Sequence, residues 1–99
     1  GVYFAQTADL DIEKVIKAIG KGAAQSWQMD NRAITMGRSE YNFGFAVDHM
    51  RKDLNIVLKA SKKFDISLSV VEMVDEFYAE LQSSGGGRLD TSSLLKRLK

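Results

Sequence analysis

The 99-residue chain contains no cysteine and no proline. Without cysteine it can form no disulfide, no thiolate metal site and no cysteine nucleophile. The single histidine, His49, cannot hold a metal ion by itself, and no cluster of acidic residues stands beside it in the sequence. The sequence therefore predicts no metal site.

An excess of charge of either sign is also missing. Fourteen Lys and Arg residues nearly cancel thirteen Asp and Glu residues, whereas a surface for nucleic acid or an acidic membrane needs clustered positive charge. No apolar run approaches the roughly 18 residues of a membrane span, and no charged leader with an apolar core resembles a signal peptide. We therefore expect a cytoplasmic protein that binds neither nucleic acid nor a membrane.

The pattern of apolar residues favours helices throughout. Apolar residues make up 44% of the chain, which is enough for one modest core. They recur at helical spacings, with little alternation of period two. These features predict a single all-α domain over residues 1–99, a compact bundle of five or six helices with short loops.

The stretch from Tyr41 to Phe64 opens with aromatic residues around Gly44, at the end of a predicted loop over Gly37–Gly44, and continues as the longest helical pattern in the chain. Residues three or four apart form one largely apolar stripe along this helix, which we expect to face the core. The stripe consists of Val47, Met50, Leu54, Val57, Ser61 and Phe64. Lys52 falls almost opposite the stripe, on a polar face with Asp48, Asn55 and Lys59. Asp48 precedes Lys52 by four residues, which favours an ion pair. Asp53 lies nearer the stripe and would need a donor. Taken alone, Lys52 is typical of a solvated surface lysine.

Shorter helical patterns lie on both sides of this segment, and several carry boundary signals. Asp11 and Asp90 are predicted N-caps, and Ser69 with Glu72 fits a capping box. Gly20 is expected to end the first of these helices as a C′ glycine. The predicted helices cover residues 1–7, 12–19, 22–36 (one helix or two short ones), 69–82 and 91–99.

Two segments allow more than one interpretation. Trp27 and Asn31 would share a helix face with Ala24 and Ile34, so we expect Trp27 in the core and the Asn31 amide bonded to the backbone of a neighbouring loop rather than to a ligand. The run Ser83–Gly87, SSGGG, matches no phosphate-binding glycine motif and follows no strand, so it is interpreted as a flexible connector.

Three blocks of sequence resemble one enzyme family. Phe45–Leu54, FAVDHMRKDL, follows Gly44 and resembles the cofactor-proximal helix of the β-hydroxyacid dehydrogenases, which include 3-hydroxyisobutyrate dehydrogenase and tartronate semialdehyde reductase. Ala23–Arg32, AAQSWQMDNR, is similar to the family's preceding segment. The residues Gly85, Gly87, Asp90 and Ser92 match its G-x-G-x-x-D-x-S pattern. The blocks keep the family's order across nearly the whole chain.

The resemblance implies a C-terminal helical domain like that of 6-phosphogluconate dehydrogenase. In the family, a separate Rossmann domain holds the glycine-rich turn for NAD or NADP, and a G-x-x-x-K-x-x-N pattern carries the catalytic lysine. Neither occurs in these 99 residues. We therefore expect no catalytic residue in this chain and no dehydrogenase activity from it alone. Its expected partners are its own N-terminal Rossmann domain, a small hydroxy acid and further copies of itself.

The resemblance also implies site residues. Lys52 would reach toward the cofactor or the substrate carboxylate, Phe45 would line the nicotinamide pocket, and Gly44 would let the backbone approach closely. Asp53 and Asn31 would support the site. Which hydroxy acid is used, and whether NAD or NADP serves, stays open at this point.

A second hypothesis comes from the breadth of one helix face. Val70, Val74, Phe77 and Leu81 form a stripe that Val71 and Tyr78 widen, which suggests apolar contact on two sides. A stand-alone helical module that self-associates through this face would show the same pattern. The two hypotheses are compatible with each other.

Overall fold

A computed structural model describes all 99 residues, and its regular elements are helices joined by short non-helical segments. The five α-helices are α1 (Val2–Thr7), α2 (Ile12–Ile19), α3 (Trp27–Gly37), α4 (Val47–Lys63) and α5 (Ser69–Leu81). A π-helical turn (Gln82–Gly86) and a 3₁₀ helix (Thr91–Leu98) follow them. An isolated bridge between Ala46 and Asp90 is the one β-type pairing. The predicted all-α class is confirmed. No helix is long and apolar enough to cross a membrane.

The chain divides into two units, each with its own internal contacts. The first comprises Gly1–Tyr41 and Leu98, and the second comprises Asn42–Arg97 and Lys99.

Side-chain caps set the helix starts in the first unit. Asp11 accepts a hydrogen bond from the Lys14 N–H at 3.1 Å, which confirms the predicted cap of α2. Ser26 caps α3 in the same way, by accepting from the Met29 N–H at 3.0 Å. Gly20 does follow α2, but its φ of −66° is right-handed, so the expected left-handed C′ role is wrong.

Small buried residues bring the helices of the first unit together. Ala5 of α1 and Ala33 of α3 are each 3% exposed, and the Gln6 side chain donates to the Gly37 carbonyl at 3.0 Å. Along α2, the apolar residues at helical spacing are half-buried at Ile12, Val15 and Ile16 and exposed at Ile19.

Two expectations for α3 are wrong. Trp27 is 59% exposed rather than buried, and the Arg32 guanidinium lies 4.8 Å from its ring centre. Asn31 is exposed as well, and its amide donates to the Trp27 carbonyl of its own helix at 2.9 Å instead of to a loop. The buried side of α3 is the one that carries Ala33, where a small side chain permits close packing.

The second unit is built on α4 and α5. Its core cluster consists of Val47, Tyr78 and Leu81, which are 0%, 6% and 5% exposed. Four partly buried residues pack against this cluster: Met50, Leu54, Val74 and Leu94. Full burial of an apolar side chain stabilises a fold by roughly 1.5–3 kcal/mol, so these residues hold the two helices together.

The inward stripe of α4 differs from the predicted one at its C-terminal half. Val57 and Phe64 are 45% and 73% exposed, whereas Leu58 is partly buried and Ser61 is buried. The stripe is rotated because Arg51 and Asn55 also turn inward, toward hydrogen bonds with Asp75 of α5. Apolar spacing alone does not reveal such polar pairs.

The start of α5 and the glycine run that follows it also differ from expectation. Leu68 is the N-cap of α5 and no side chain caps it, so the Ser69–Glu72 capping box is wrong. The run Ser83–Gly87, interpreted as a flexible connector, forms an irregular helical turn whose first three residues are exposed. Its Gly85 has a left-handed φ of 87° and its Gly86 is buried.

The last helix begins as predicted. Asp90 caps it by accepting from the Ser92 N–H, although the helix is 3₁₀ rather than α. Leu95 is buried and Leu94 is partly buried, while Leu98 is 55% exposed.

Candidate functional site

A left-handed turn precedes α4. Gly44 has a φ of 74°, a conformation that glycine adopts at little cost and that other residues adopt rarely. Phe45 follows it, with both backbone polar atoms bonded to one segment. Its N–H donates to Asp90 Oδ1 at 2.9 Å, and its carbonyl accepts from the Thr91 N–H at 2.9 Å. The turn therefore has a defined conformation.

The next residues of α4 are bonded to the same neighbouring segment. The Val47 N–H donates to the Leu89 carbonyl and the Asp48 N–H to the Gly87 carbonyl, both at 2.9 Å. The first N–H groups of a helix have no partner within the helix, so these carbonyls take the place of the side-chain cap that α4 lacks.

Exposed side chains continue from the turn along α4. The Phe45 ring is 42% exposed, and its centre lies 6.0 Å from that of the His49 imidazole with a 49° tilt. Lys52 and Asp53 lie three and four residues beyond His49, which places all three on one helix surface. An aromatic ring, an imidazole and an ammonium group thus line one exposed side of the second unit.

Lys52 is solvent-exposed as its position opposite the core stripe predicts. Its predicted partner is wrong, however. Its ammonium lies 3.3 Å from the Asp53 carboxylate rather than beside Asp48, and the two side chains are 63% and 51% exposed. The carboxylate of Asp48 instead accepts from the Gln82 amide at 2.6 Å. An exposed pair of this kind constrains Lys52 little, so its ammonium is available to an anionic ligand.

A polar network lies beneath this surface, and sequence reasoning missed it. The Arg51 guanidinium bonds the Asp75 carboxylate through two nitrogens, at 3.0 and 3.2 Å, and the Gln82 oxygen at 2.6 Å. The bond to Asp75 raises the pKa of Arg51, so this cation is permanent. One available signal was the position of Arg51, between Val47 and Leu54 on the inward side of α4, where a charge needs a partner.

Asn31 is the one predicted site residue that is not part of the second unit. Asn31 belongs to the first unit, and the site described here consists of residues of the second unit alone.

The first unit has a concavity of its own that lacks the chemistry for a polar ligand. This groove of about 240 Å³ is lined by Gly1, Val2, Ala5, Ile12, Val15, Ile16, Ile19, Gln28, Met29, Ala33 and Met36. Gln28 is the one polar side chain among them. Ligand sites usually place several polar groups to fix orientation, so the exposed side of α4 is the better candidate site.

The residues of that side suit a nicotinamide nucleotide. The half-exposed Phe45 ring offers an aromatic surface, Gly44 brings bare backbone to the turn, and the exposed Lys52 offers a cation for a carboxylate or phosphate. By contrast, no group of three or more His, Cys, Asp or Glu side chains is placed to hold a metal ion.

Comparison with known proteins identifies the family. The sequence model described as the NAD-binding domain of NADP-dependent 3-hydroxyisobutyrate dehydrogenase matches residues 1–98. The chain belongs to this family. The resemblance to the β-hydroxyacid dehydrogenases is thereby confirmed over nearly every residue.

Individual relatives agree with the family match. An uncharacterized oxidoreductase of Shewanella frigidimarina is 54% identical over 99 residues, which are 100% of this chain and 34% of that protein. The 2-hydroxy-3-oxopropionate reductase of Escherichia coli is 29% identical over 96 residues, 97% of this chain and 33% of that protein. The chain thus spans about a third of the length of the curated relatives it matches.

A solved structure shows the same fold. The crystal structure of 3-hydroxyisobutyrate dehydrogenase from Salmonella typhimurium matches 97% of this chain and 34% of its own with a TM-score of 0.84, at 23% sequence identity. At this identity the likeness shows the fold alone.

Proposed function

We propose that this chain is the C-terminal helical domain of an NAD(P)-dependent 3-hydroxyacid dehydrogenase, and that it closes over the cleft where the nicotinamide and the substrate meet. The observation that carries the proposal is the family match over residues 1–98. The Gly44–Phe45 turn and the exposed Lys52 give that match a physical site.

Each residue of the exposed side of α4 has a role in this proposal. Phe45 lines the nicotinamide pocket, Gly44 permits close approach of the backbone, and the Lys52 ammonium binds the substrate carboxylate or a cofactor anion. Asp53 supports Lys52 through the 3.3 Å pair. Asn31 keeps its proposed supporting role within the first unit. These residues orient the ligands and exclude water.

In this proposal, groups outside these 99 residues carry out the hydride and proton transfers. The bound nicotinamide cofactor supplies hydride transfer to or from a small 3-hydroxy or 2-hydroxy acid. By resemblance to the family, a lysine outside the chain moves the proton at the alcohol or carbonyl oxygen. The Rossmann domain of the intact protein, which also lies outside these 99 residues, would bind most of the nucleotide.

Steady-state kinetics of the intact protein test this function. We expect the protein that joins these residues to their nucleotide-binding domain to oxidise one or more small hydroxy acids with NAD⁺ or NADP⁺. The purified 99-residue chain should be inactive with the same substrates. The proposal fails if the intact protein turns over no member of a panel of 3-hydroxy and 2-hydroxy acids with either cofactor.

A specific observation favours self-association as a second function of the domain. Large apolar side chains at the end of α4 and the start of α5 are strongly exposed: Phe64 at 73%, Ile66 at 54%, Val70 at 69% and Met73 at 52%. Of the broad α5 face expected from the sequence, Val70 belongs to this surface, whereas Tyr78 and Leu81 are buried in the core. Phe4 of α1 is 75% exposed. Extensive exposed apolar surface is typical of interfaces between proteins.

Sedimentation velocity tests this second function. We expect the purified chain to form dimers or larger assemblies as its concentration rises, and the double change Val70→Ser with Met73→Ser to weaken the association. Glu72→Ser, an exposed position between them on α5, is the matched control and should associate like the wild type. A monomeric wild type at high concentration would refute self-association.

A further inference from the structure

We propose that Asp90 is a positioning residue for the Gly44–Phe45 turn, so that cofactor binding depends on a buried carboxylate that does not itself contact the ligand. The inference rests on the proposed function, since that assigns the turn to the nicotinamide pocket. It concerns a side chain that the sequence pattern identifies merely as a helix cap.

The Asp90 carboxylate joins two parts of the second unit that are distant in sequence. It is 1% exposed. Its Oδ1 accepts from the Phe45 N–H across 45 residues of sequence at 2.9 Å, and its Oδ2 accepts from the N–H and the hydroxyl of Ser92 at 3.0 and 2.5 Å. Each carboxylate oxygen thus serves a different segment, one the turn and the other the 3₁₀ helix.

The turn needs this bond for two physical reasons. First, the Phe45 N–H lies before the start of α4, where the helix offers it no carbonyl partner. Second, the left-handed Gly44 has more backbone freedom than any other residue type. The bond from Phe45 N–H to Asp90, with that from Thr91 N–H to the Phe45 carbonyl, therefore restricts the direction in which the exposed ring points.

The change Asp90→Asn separates positioning from capping. An amide has one acceptor oxygen and one NH₂ donor group. If the amide oxygen faces Ser92, it accepts the same two hydrogen bonds as the carboxylate and the helix cap is kept. The NH₂ group then faces the Phe45 N–H, and because both groups are donors, no hydrogen bond forms there. We expect this orientation because the oxygen of an Asn side chain is a favoured N-cap acceptor. In the reverse one the Ser92 hydroxyl turns to accept from the NH₂ group, and the Ser92 N–H bond alone is lost. The variant thus keeps the helix cap and releases the turn, and normal exchange of the Ser92 amide hydrogen identifies this orientation.

Two readouts on the intact protein test the role. In Asp90→Asn we expect the Phe45 amide hydrogen to exchange with solvent roughly tenfold faster, and the Kd for NADH or NADPH, measured by nucleotide fluorescence, to rise roughly tenfold, as the loss of one charge-assisted hydrogen bond implies. Ser92→Ala removes the hydroxyl bond to Asp90 and leaves the Phe45 bond in place. It is the matched control, with normal exchange at Phe45 and normal cofactor affinity.

A second variant covers the case in which Asp90→Asn does not fold. Asp90→Ser keeps a favoured N-cap residue, whose hydroxyl oxygen accepts from the Ser92 N–H. Its side chain carries one oxygen in place of two, so the Phe45 N–H loses its acceptor. We expect the same loss of cofactor affinity from it.

The possible failures are distinguishable. No nicotinamide binding by the wild type, or unchanged binding by Phe45→Ala, would contradict the proposed function itself. Weakened binding by Phe45→Ala together with normal binding by Asp90→Asn and Asp90→Ser would overturn the positioning role alone.

Discussion

The guanidinium of Arg51 on α4 and the carboxylate of Asp75 on α5 form a two-nitrogen ion pair, with N–O distances of 3.0 and 3.2 Å. The side chains are 28% and 14% exposed. Gln82 continues the network by accepting from Arg51 and donating to Asp48. The helix that carries the candidate site is therefore fixed to α5 by charge as well as by apolar packing.

Breaking this pair should destabilise the fold. In Arg51→Met the apolar stem is retained, but the mostly buried Asp75 carboxylate loses its cation. We expect a loss of about 2 kcal/mol in the free energy of unfolding. This is less than the roughly 3–5 kcal/mol for breaking a fully buried pair, because Arg51 keeps some contact with water. Urea unfolding measures it.

The control for Arg51 is an exposed pair of similar length. Arg38 and Glu13 lie 2.8 Å apart, with side chains 58% and 67% exposed. Arg38→Met should cost about 0.5 kcal/mol or less, since solvent screens exposed pairs. Equal losses in the two variants would show that burial adds nothing to the Arg51 pair.

Under the proposed function, Lys52→Ala should impair catalysis by the intact protein without unfolding it. The loss of its exposed pair with Asp53 should cost about 0.5 kcal/mol or less in stability. The loss of a charged ligand contact should cost about 2–4 kcal/mol in transition-state stabilisation, a fall in kcat/KM of roughly thirtyfold or more. Steady-state kinetics and thermal unfolding together measure both parts.

Lys59→Ala is the matched control for Lys52. Lys59 lies seven residues along α4, which places it on the same side of the helix but about 10 Å farther from the Gly44–Phe45 turn. It is exposed, like Lys52. We expect near-normal kinetics from it. Equal kinetics in the two variants would leave Lys52 as an ordinary surface lysine.

Tyr78 should make the fold sensitive to alkaline pH. Its hydroxyl donates to the Thr91 carbonyl at 3.2 Å, and burial, with the added effect of the Asp90 charge, raises its pKa above the ordinary value. Above pH about 10 the unfolded chain loses this proton while the folded chain keeps it, so the stability present below that pH falls as pH rises.

Tyr78→Phe tests this titration. Near neutral pH the variant should be less stable by about 1 kcal/mol, because the Thr91 carbonyl loses its buried donor. The difference from the wild type should shrink as pH rises above about 10. Chemical unfolding across pH 7 to about 11 measures it. A constant difference over that range would contradict the titration of Tyr78.

Gly86→Ala should disturb the core of the second unit. A Cβ atom at this position would lie 2.8 Å from the Leu81 carbonyl oxygen and 2.9 Å from Leu81 Cγ. Leu81 belongs to the core cluster, so it cannot move away freely. Overpacking of this kind costs about 1–3 kcal/mol, which thermal unfolding would detect. Ser83→Ala, an exposed position in the same turn, should be close to the wild type.

Local signals in the sequence determined much of this structure. The all-helical class, the caps at Asp11 and Asp90, and the exposure of Lys52 depend on residues within a few positions of one another, and each agrees with the fold. The family also follows from the sequence, because the quoted blocks keep their order along the chain.

Tertiary structure alone decided the pairings over long distances. Arg51 with Asp75, Gln82 with Asp48 and Phe45 with Asp90 are separated by 24, 34 and 45 residues. The spacing of residues within one helix does not indicate which distant side chain will pair with an inward-facing charge or accept a hydrogen bond from an N–H group at the helix start. For the same reason the inward stripe of α4 was misplaced at Val57 and Phe64, since the polar partners on α5 decide how that helix is rotated.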